Sequence, residues 1–512
     1  MAEEKKSHLY VLKPLIERWP AVTKPEGHVN FRSKILWTAL CLILYFILTN
    51  VMIYGLQTRI IDLFAGYRFI MAGASGSIMH LGIGPIVTAS IILQLFVGAK
   101  IIKLDLKKEE DKAIYQGTQK ILVIVMILVE AIPQIFGYLE PTPALVSHAG
   151  SGIADLIIII QLFIGAFLVF LMDELISKWG IGSGISLFIA AGVSEAIFTG
   201  LFNWLPTSGK EYSLSTPPAG VVPGTYYLAS HMSLGEIVDG GFEAMFVGNN
   251  GYPNAILPLI GTILIFFIVV YAESARIELP LTHSNVRGAR GRYPIRLIYC
   301  SNIPVILMSA LLANINMFAM LFYTNPALNK IPLIGGQWWI GRYDTTISTQ
   351  PLAGGAWYLQ SQNGVHTWLM PIIQGGGGGH EPWQYAIKII LYISIMIIGS
   401  VLFAKFWIET TDMGSTAVAR QIQDSGMQIP GFRRDPRVLG LVLERYIPVV
   451  TVIGGAAVGA LAAFADAIGT IGNASGTGVL LTVGIMIQLY EQIAKEQAME
   501  MHPVLRGFFG SD

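Results

Sequence analysis

The stretch GLQTRIIDLFAGYRFIMAGASGSIMHLGIGPIVTASIILQLF, Gly55 to Phe96, decides the fold. One apolar segment ends just before it at Tyr54, and another begins near Gly82. The intervening IIDLFAGYRFIMA is too apolar for an ordinary solvent loop. It is also too short, and with Asp62 and Arg68 too charged, to cross a bilayer. These features predict a half-inserted segment between two membrane spans.

Composition places the chain in the membrane. Hydrophobic residues make up 53% of it and charged residues 13%, whereas a soluble domain carries about 25% charged residues. The formal net charge is zero, which argues against a nucleic-acid binder. Cys41 and Cys300 lie in apolar segments and indicate neither a disulfide framework nor a metal cluster. The charged, amphipathic N-terminus lacks the apolar core of a cleavable signal.

Apolar segments of spanning length predict an all-α polytopic membrane protein with ten transmembrane helices. Five spans in each half would make the second half enter the membrane in the opposite sense, which predicts two pseudo-symmetric inverted halves. The ten predicted spans are Ile35–Tyr54, Gly82–Ala99, Ile114–Tyr138, Ile153–Met172, Ile181–Trp204, Ala255–Tyr271, Leu297–Tyr323, Tyr385–Phe406, Tyr446–Ala465 and Ile468–Leu489.

Basic residues set the predicted orientation. With the N-terminus inside, 26 of the 33 Lys and Arg residues fall on the inner side and 5 on the outer side. Both termini are therefore expected in the cytoplasm. The predicted organisation is an amphipathic segment (1–34), an N-terminal half (35–204), an external loop (205–254), a C-terminal half (255–492) with cytoplasmic loops 272–296 and 405–445, and a cytoplasmic tail (493–512).

The two cytoplasmic loops carry the basic clusters VRGARGRYPIR and GFRRDPR. One interpretation is that these clusters only determine topology. The other is a docking surface for an acidic or RNA-bearing cytosolic partner.

Candidate chemistry inside the membrane is sparse. The ionisable residues in or near spans are Lys120, Glu130, Glu195 and Lys388, and they form neither an Arg ladder nor an acidic pair. A GxSG match at Gly73–Gly76 would suit an intramembrane serine protease, but no His lies deep in a predicted span. No phosphate-binding loop is present, and no metal or cofactor is expected. A secondary transporter with inverted repeats is the alternative function, although it needs midplane ionisable groups for a coupling ion.

Two spans begin with glycine-rich turns. LGIGPIVTAS places Gly82, Gly84 and Pro85 at a helix start, and KWGIGSGISLF resembles it. Such starts, together with a half-inserted segment, predict an aqueous cavity lined by apolar side chains.

SIMHLGIGPIVTASIILQLF (77–96) and LMDELISKWGIGSGISLF (171–188) resemble the two signature segments of the SecY family, the protein-conducting translocon channel. YCSNIPVILMSALLANI, GFRR, LERYIPVVTV and GTGVLLTVGIMIQLYEQ also resemble family segments, so the likeness covers nearly the whole chain. Phrases such as GIGPIVTASI and FIAAGVSEAIF are similar to the archaeal branch.

The resemblance implies an hourglass channel that passes unfolded secretory chains and releases apolar segments sideways into lipid, without catalysing a covalent reaction. At the waist, six apolar side chains would form a ring around the translocating peptide. Carried over by position, the ring residues are Ile83, Val87, Ile185, Ile189, Ile306 and Leu481. The first two pairs are spaced i, i+4, so each pair faces one way, and a narrow apolar constriction gates by dewetting.

The half-inserted segment resembles the family's plug, a short helix that seals the outer funnel, here at about 60–72. Ile60, Phe64, Tyr67 and Met71 would form one apolar stripe on it. The plug residues expected from the resemblance are Ile60, Ile61, Asp62, Leu63, Phe64, Tyr67 and Met71.

The resemblance also implies a lateral gate and partners. The gate would open between the second and third spans on one side and the seventh and eighth on the other, with Thr88, Gln119 and Asn302 as a polar cluster across the seam. Implied partners are SecE-type and Secβ-type small membrane subunits, the ribosome with its nascent chain, and membrane lipid; accessory translocon proteins are further candidates. The cell membrane is the implied location. The ribosome-docking residues would be Arg287, Arg290, Arg292, Arg433 and Arg434.

Overall fold

The computed structural model of the chain describes most of residues 8–501. The described ranges are 8–19, 21–27, 29–57, 72–99, 101–102, 104, 108–137, 139–206, 211–214, 216–233, 235, 241–247, 254–283, 290–296, 302–325, 328–331, 337–344, 348–411, 413–424, 427–428 and 436–501.

All ten predicted spans are helices. Within the described ranges, nine helices are long and apolar enough to cross a membrane, and the tenth, the second span, is a shorter apolar helix. The spanning helices are α2 (Phe31–Asn50), α3 (Gly84–Gly98), α4 (Glu109–Gly137), α6 (Ser151–Trp179), α7 (Gly184–Phe202), α10 (Ile256–Ser274), α11 (Ile303–Thr324), α14 (Pro382–Thr410), α16 (Pro436–Ile468) and α17 (Gly476–Met501). Helix α17 continues past Leu489, the predicted end of the tenth span, to Met501.

Short elements lie between the spans. The helices are α1 (Lys13–Glu17, preceded by a 3₁₀ turn His8–Leu12), α5 (Pro143–Ala149), α8 (Val221–His231), α9 (Phe242–Phe246), α12 (Gly355–Leu359), α13 (Leu369–Ile373) and α15 (Ser415–Asp424). The strands are β1 (Arg276–His283), β2 (Arg290–Arg296), β3 (Arg342–Asp344), β4 (Ser348–Ala353) and β5 (Met427–Gln428).

The helices form two halves of five spans that meet along two seams. At the front seam, α3 packs against α11 and α14, and α4 packs against α11. At the back seam, α17 packs against α2 and α7. The apolar core runs through both halves as one continuous cluster of buried residues.

A three-stranded sheet, which the sequence pattern does not predict, joins the two basic loops. Strand β1 pairs antiparallel with β2 on one side and with β5 on the other. Thr282 of β1 takes part in both pairings: it lies opposite Arg290 of β2 and opposite Gln428 of β5. Thr282 and Gln428 are 146 positions apart in sequence, so two distant loops form one surface. Arg276 and Arg296, at the base of the β1–β2 hairpin, form ion pairs with Glu491 of α17.

The loop between α11 and α14 is anchored to the C-terminal half. Lys388, a buried residue of α14, lies over the Trp357 ring with its Nζ 4.4 Å from the ring centroid. His380 stacks on the same Trp357 ring, and the two ring centroids are 3.9 Å apart. The Trp368 indole donates to the carbonyl oxygen of Ala467 near the end of α16. Lys388 is thus accounted for by loop anchoring.

Glycine makes the closest contact of the back seam. Gly472, in the 3₁₀ turn between α16 and α17, has a positive φ of 68°. A Cβ at this position would collide with the backbone carbonyl of Ala196 on α7, and it would also approach Gly200. The Gly472 N–H donates to Asn254 Oδ1 at 2.9 Å. Only a residue without a side chain permits this approach of backbone to backbone.

We therefore expect Gly472→Ala to destabilise the protein by roughly 2–4 kcal/mol, through left-handed backbone strain and overlap with α7. Thermal unfolding in detergent measures the effect. Gly440→Ala is the matched control, because nothing lies within 4 Å of a Cβ at that position of α16, and it should change stability by less than about 1 kcal/mol. Equal transition temperatures for the two variants would contradict the close-packed contact.

Candidate functional site

Two of the helices that carry predicted ring residues begin directly beside them. Gly82 (φ 53°) precedes Ile83, which is the N-cap of α3. Gly182 (φ 82°) precedes the N-cap Ser183 of α7, two residues before Ile185. The glycines supply a left-handed turn, and Pro85 in the first turn of α3 has no N–H that needs a partner. The glycine-rich motifs thus place a helix start at each pair, as the sequence predicts.

Asp173 of α6 holds the start of α7. Its carboxylate Oδ1 accepts a hydrogen bond from the Ile185 N–H at 2.9 Å, and a Cβ on Gly184 would crowd the same side chain. The carboxylate satisfies an N–H of the first helical turn that has no partner within α7. Asp173 is a positioning residue for Ile185 that the sequence analysis missed, because the contact joins two helices.

The six predicted ring residues lie in one apolar cluster. Five of them are buried, and Ile185 is partly buried and packed against the others' cluster. Four helices from both halves contribute: α3 and α7 from the first half, α11 and α17 from the second. The buried members are Ile83, Val87, Ile189, Ile306 and Leu481. The cluster is the apolar core that both halves share, and the six residues are part of it.

Polar side chains cross the front seam beside this cluster. Thr88 of α3 donates to Glu130 Oε1 of α4 at 2.8 Å. Asn314 of α11 donates from Nδ2 to Thr88 Oγ1 at 3.1 Å. All three residues are buried. This chain of hydrogen bonds is the polar link between the two halves at the seam, and we call it the seam triad.

The predicted cluster of Thr88, Gln119 and Asn302 is therefore wrong in two members. Gln119 donates to Ser90 Oγ at 2.7 Å, which joins α4 to α3 within the first half. Asn302 is the N-cap of α11 and lies against Gly484 of α17, beside Glu273 of α10. Of the three residues, Thr88 is the one with a described hydrogen bond to the opposite half.

Helix geometry explains the error. Asn302 and Asn314 are twelve residues apart on α11, which corresponds to about 18 Å along the axis. Asn302 therefore meets α10 and α17, whereas Asn314 reaches the level of Thr88. The sequence does indicate a functional role for Glu130, because Glu130 is one of the few ionisable residues inside a span. Choosing between two asparagines of one helix requires the packing of the helices.

After the predicted plug, the described chain resumes at Ala72. Hydrogen bonds between side chains and backbone groups hold its first residues. Tyr45 donates its hydroxyl to the Ala72 carbonyl at 2.8 Å, and the Gly76 N–H donates to His80 Nδ1 at 2.9 Å. His80 is buried, but Ser75 Oγ has no hydrogen-bond partner, so the two do not form a nucleophile–base pair. The expected plug residues Ile60, Ile61, Asp62, Leu63, Phe64, Tyr67 and Met71 lie outside the described residues.

The predicted docking residues are partly described. Arg290 and Arg292 lie on β2, opposite Thr282 and Pro280. Arg287, Arg433 and Arg434 lie outside the described residues. Among the residues that the structure describes, no group of three or more His, Cys, Asp or Glu side chains could hold a metal ion.

Comparisons with known proteins agree with this architecture. The family model described as SecY matches residues 77–490, and the model described as the plug domain of Sec61p matches residues 43–76. The protein translocase subunit SecY of Archaeoglobus fulgidus is 46% identical over 512 residues, with 99% of each chain covered. That of Haloferax volcanii is 46% identical over 507 residues, with 98% of this chain and 99% of the relative covered.

Two solved structures are similar over nearly the whole chain. One, described as "The structure of a protein conducting channel", has a TM-score of 0.76 at 36% identity, covering 96% of this chain and 98% of its own. The other, described as "Sec61 in the Canine ribosome-channel complex from the endoplasmic reticulum", has a TM-score of 0.73 at 35% identity, with the same coverage.

The seam triad predicts a measurable coupling between the halves. In a double-mutant cycle, Asn314→Leu and Thr88→Val should couple by about 0.6 kcal/mol, and by at most about 1.7, because both remove the same interhelical hydrogen bond. Unfolding of the purified protein in mixed detergent supplies the four free energies. Asn302→Leu makes the same chemical change on the same helix and should combine additively with Thr88→Val. Coupling through Asn302 and none through Asn314 would refute the triad.

Proposed function

The chain belongs to the SecY family, and on that premise we propose that its six-residue waist ring is the permeability barrier of the channel. The protein is a multi-pass membrane protein and the central channel of a protein translocase. Unfolded secretory polypeptides cross the membrane through it, and apolar segments leave it sideways into the lipid. The single observation that supports the ring is that residues from four spans of both halves pack into one apolar cluster.

An aliphatic ring suits this task physically. A narrow apolar constriction expels water, so ions face a barrier although the side chains can part around a peptide. Burial of Ile83, Ile189 and Leu481 is what a closed ring requires. The plug, proposed at 60–72, would add a second seal on the outer side. A secondary transporter is not favoured, and the chain is proposed to catalyse no covalent reaction.

The front seam is proposed as the lateral gate. Its closure combines aliphatic packing between α3, α11 and α14 with the hydrogen bonds of Thr88, Glu130 and Asn314. Interhelical hydrogen bonds in membranes are weak, roughly 0.6 kcal/mol on average. An apolar signal segment that offers its own surface to α3 and α11 can therefore compete with the closed contact.

Orientation and partners are proposed as follows. Both termini lie in the cytoplasm of a cell whose plasma membrane holds the channel, since the inner loops carry most of the basic residues. Small SecE-type and Secβ-type membrane subunits accompany the chain. The canine relative is described in a complex with the ribosome, and we propose that this chain also docks a ribosome that delivers the nascent polypeptide. Pairing of β1 with β5 supports one docking surface made by both basic loops.

The ring proposal predicts ion leak in a widened waist. Ile83→Ser, Val87→Ser, Ile185→Ser and Ile189→Ser, combined in one chain, should raise ion conductance in planar bilayers because a polar waist stays wet. Ile86→Ser is the control, since Ile86 is equally buried on α3 but is turned about 100° from Val87. Conductance that stays at the wild-type level in the fourfold variant would exclude the ring as the barrier.

The docking proposal predicts a salt-dependent loss of ribosome binding. Arg433→Glu should weaken ribosome binding most at low salt and make binding fall less steeply with added salt, because one contact to an RNA phosphate is lost and salt screens the new repulsion. Arg342→Glu is the matched control, since Arg342 lies in the loop on the opposite side of the proposed topology. Binding to purified ribosomes by co-sedimentation across a salt series measures both. Arg433→Glu and Arg342→Glu behaving alike would remove Arg433 from the docking surface.

A further inference from the structure

The N-terminal segment, residues 8–27, is fastened across the ends of three spans. Tyr10 donates its hydroxyl to Asp111 in the first turn of α4. The Val22 N–H donates to Glu174 Oε2 of α6 at 3.2 Å, and the Trp179 indole donates to the Thr23 carbonyl at 2.9 Å. Trp179 in turn contacts Trp37 of α2, with ring centroids 6.3 Å apart. The segment therefore lies against the start of α4 and the end of α6, near α2.

These attachments are firm. The hydrogen bond to Asp111, followed by burial and by the charges of Asp111 and Glu110, raises the pKa of Tyr10 to about 12. A Cβ on Gly117 of α4 would collide with Ile16, which shows how closely α1 packs on that span. Lys120 of α4 and Lys178 both pair with Glu174, so the segment, α4 and α6 share one network.

The helical part of this segment has an apolar arc that the protein covers only in part. Leu12 and Ile16 lie on the inner side and are half-buried. Val11 and Leu15, one turn apart on the neighbouring side, are 78% and 47% exposed. Helical spacing places Pro14 about 60° beyond Val11, on the side away from Leu15, at the far edge of the arc. About half of the apolar face of an amphipathic helix is thus left without cover by this chain.

The surroundings identify what covers it. Trp37 and Trp179 contact each other here, Trp19 lies on the segment itself, and Trp is enriched where a protein meets the lipid headgroups. Lys13, Arg18 and Lys24 are exposed on the same segment, where they can reach anionic phosphates. An apolar stripe flanked by basic residues and Trp, running along the membrane boundary, is the pattern of a helix that lies in the lipid interface.

We propose that the N-terminal segment is an interfacial anchor whose Val11–Leu15 face inserts into the adjacent lipid leaflet, with anionic headgroups bound by its basic residues. Through Tyr10 and Ile16 the anchor holds the membrane-boundary end of α4, which carries Glu130 of the seam triad. The inference goes beyond the channel function and does not depend on it.

Depth measurement in a bilayer tests the anchor. The full chain, with its partner subunits and with Cys41 and Cys300 replaced by Ala, is reconstituted into vesicles of phosphatidylcholine and phosphatidylglycerol. A nitroxide is attached to Leu15→Cys or, as the matched control, to Glu17→Cys, an exposed position two residues away. The label at 15 should collide mainly with oxygen, which concentrates in lipid, and the label at 17 mainly with a water-soluble nickel chelate.

Two results would overturn the proposal. Equal access of the nickel chelate to both labels would mean that the face lies in water. Shielding of the label at 15 from oxygen and nickel alike would mean that a protein partner, and not lipid, covers it.

Hydrogen exchange supplies a test that needs no label. Val11→Gln combined with Leu15→Gln should speed amide exchange in residues 9–19 by about tenfold in vesicles, because loss of apolar insertion favours local opening. Exchange in the first turns of α4 should rise with it. Glu17→Gln should leave both rates unchanged. If the double variant exchanges like Glu17→Gln, the face is not inserted, and if only residues 9–19 respond, the link to α4 is refuted.

Discussion

Apolar packing at the waist is the constraint on which the rest of the structure depends. A passage through a membrane excludes water and ions when aliphatic side chains from several helices meet at one level. In the proposed ring, Ile83 and Ile185 meet this demand because α3 and α7 begin directly beside them. Starting a helix inside the membrane exposes N–H groups that water cannot satisfy. Proline in the first turn of α3 and the Asp173 carboxylate at the start of α7 remove that cost.

The front seam has the opposite requirement, since it must hold and also yield. Purely apolar contact between α3 and α11 would be exchangeable with lipid and would specify neither register nor partner. The bond from Asn314 to Thr88 gives the closed seam one defined alignment at small energetic cost. Glu130 adds a buried carboxylate that finds its donor only when α3 and α4 stay together. The seam can therefore open between the halves while each half remains intact.

Sequence predicts the parts of this molecule that depend on local rules. The spans follow from apolar length, the helix starts from the glycine-rich motifs, and the i, i+4 pairs of the ring from helical spacing. The position of a residue along a helix does not tell which neighbouring helix its side chain contacts. The sequence therefore indicates Asn302, whereas Asn314 makes the contact with Thr88. Pairing of β1 with β5 was also missed, because a two-residue strand has no pattern of its own. The anchoring of Lys388 by Trp357 is likewise a contact between distant segments.

The two seams differ in a way that fixes where the channel opens. At the back, Gly472 brings backbone against the backbone of α7, Asn254 binds the same turn, and Lys34 of α2 pairs with Glu496 of α17 at 2.8 Å. Separating α7 from this turn would leave empty the close-packed space between the two backbones, which is costly. Separating the front costs a few weak hydrogen bonds and aliphatic contacts that lipid or a signal segment can replace. Opening at the front while the back seam stays closed is therefore the motion that we propose for the gate, and it would also part the proposed ring, because those residues come from both halves.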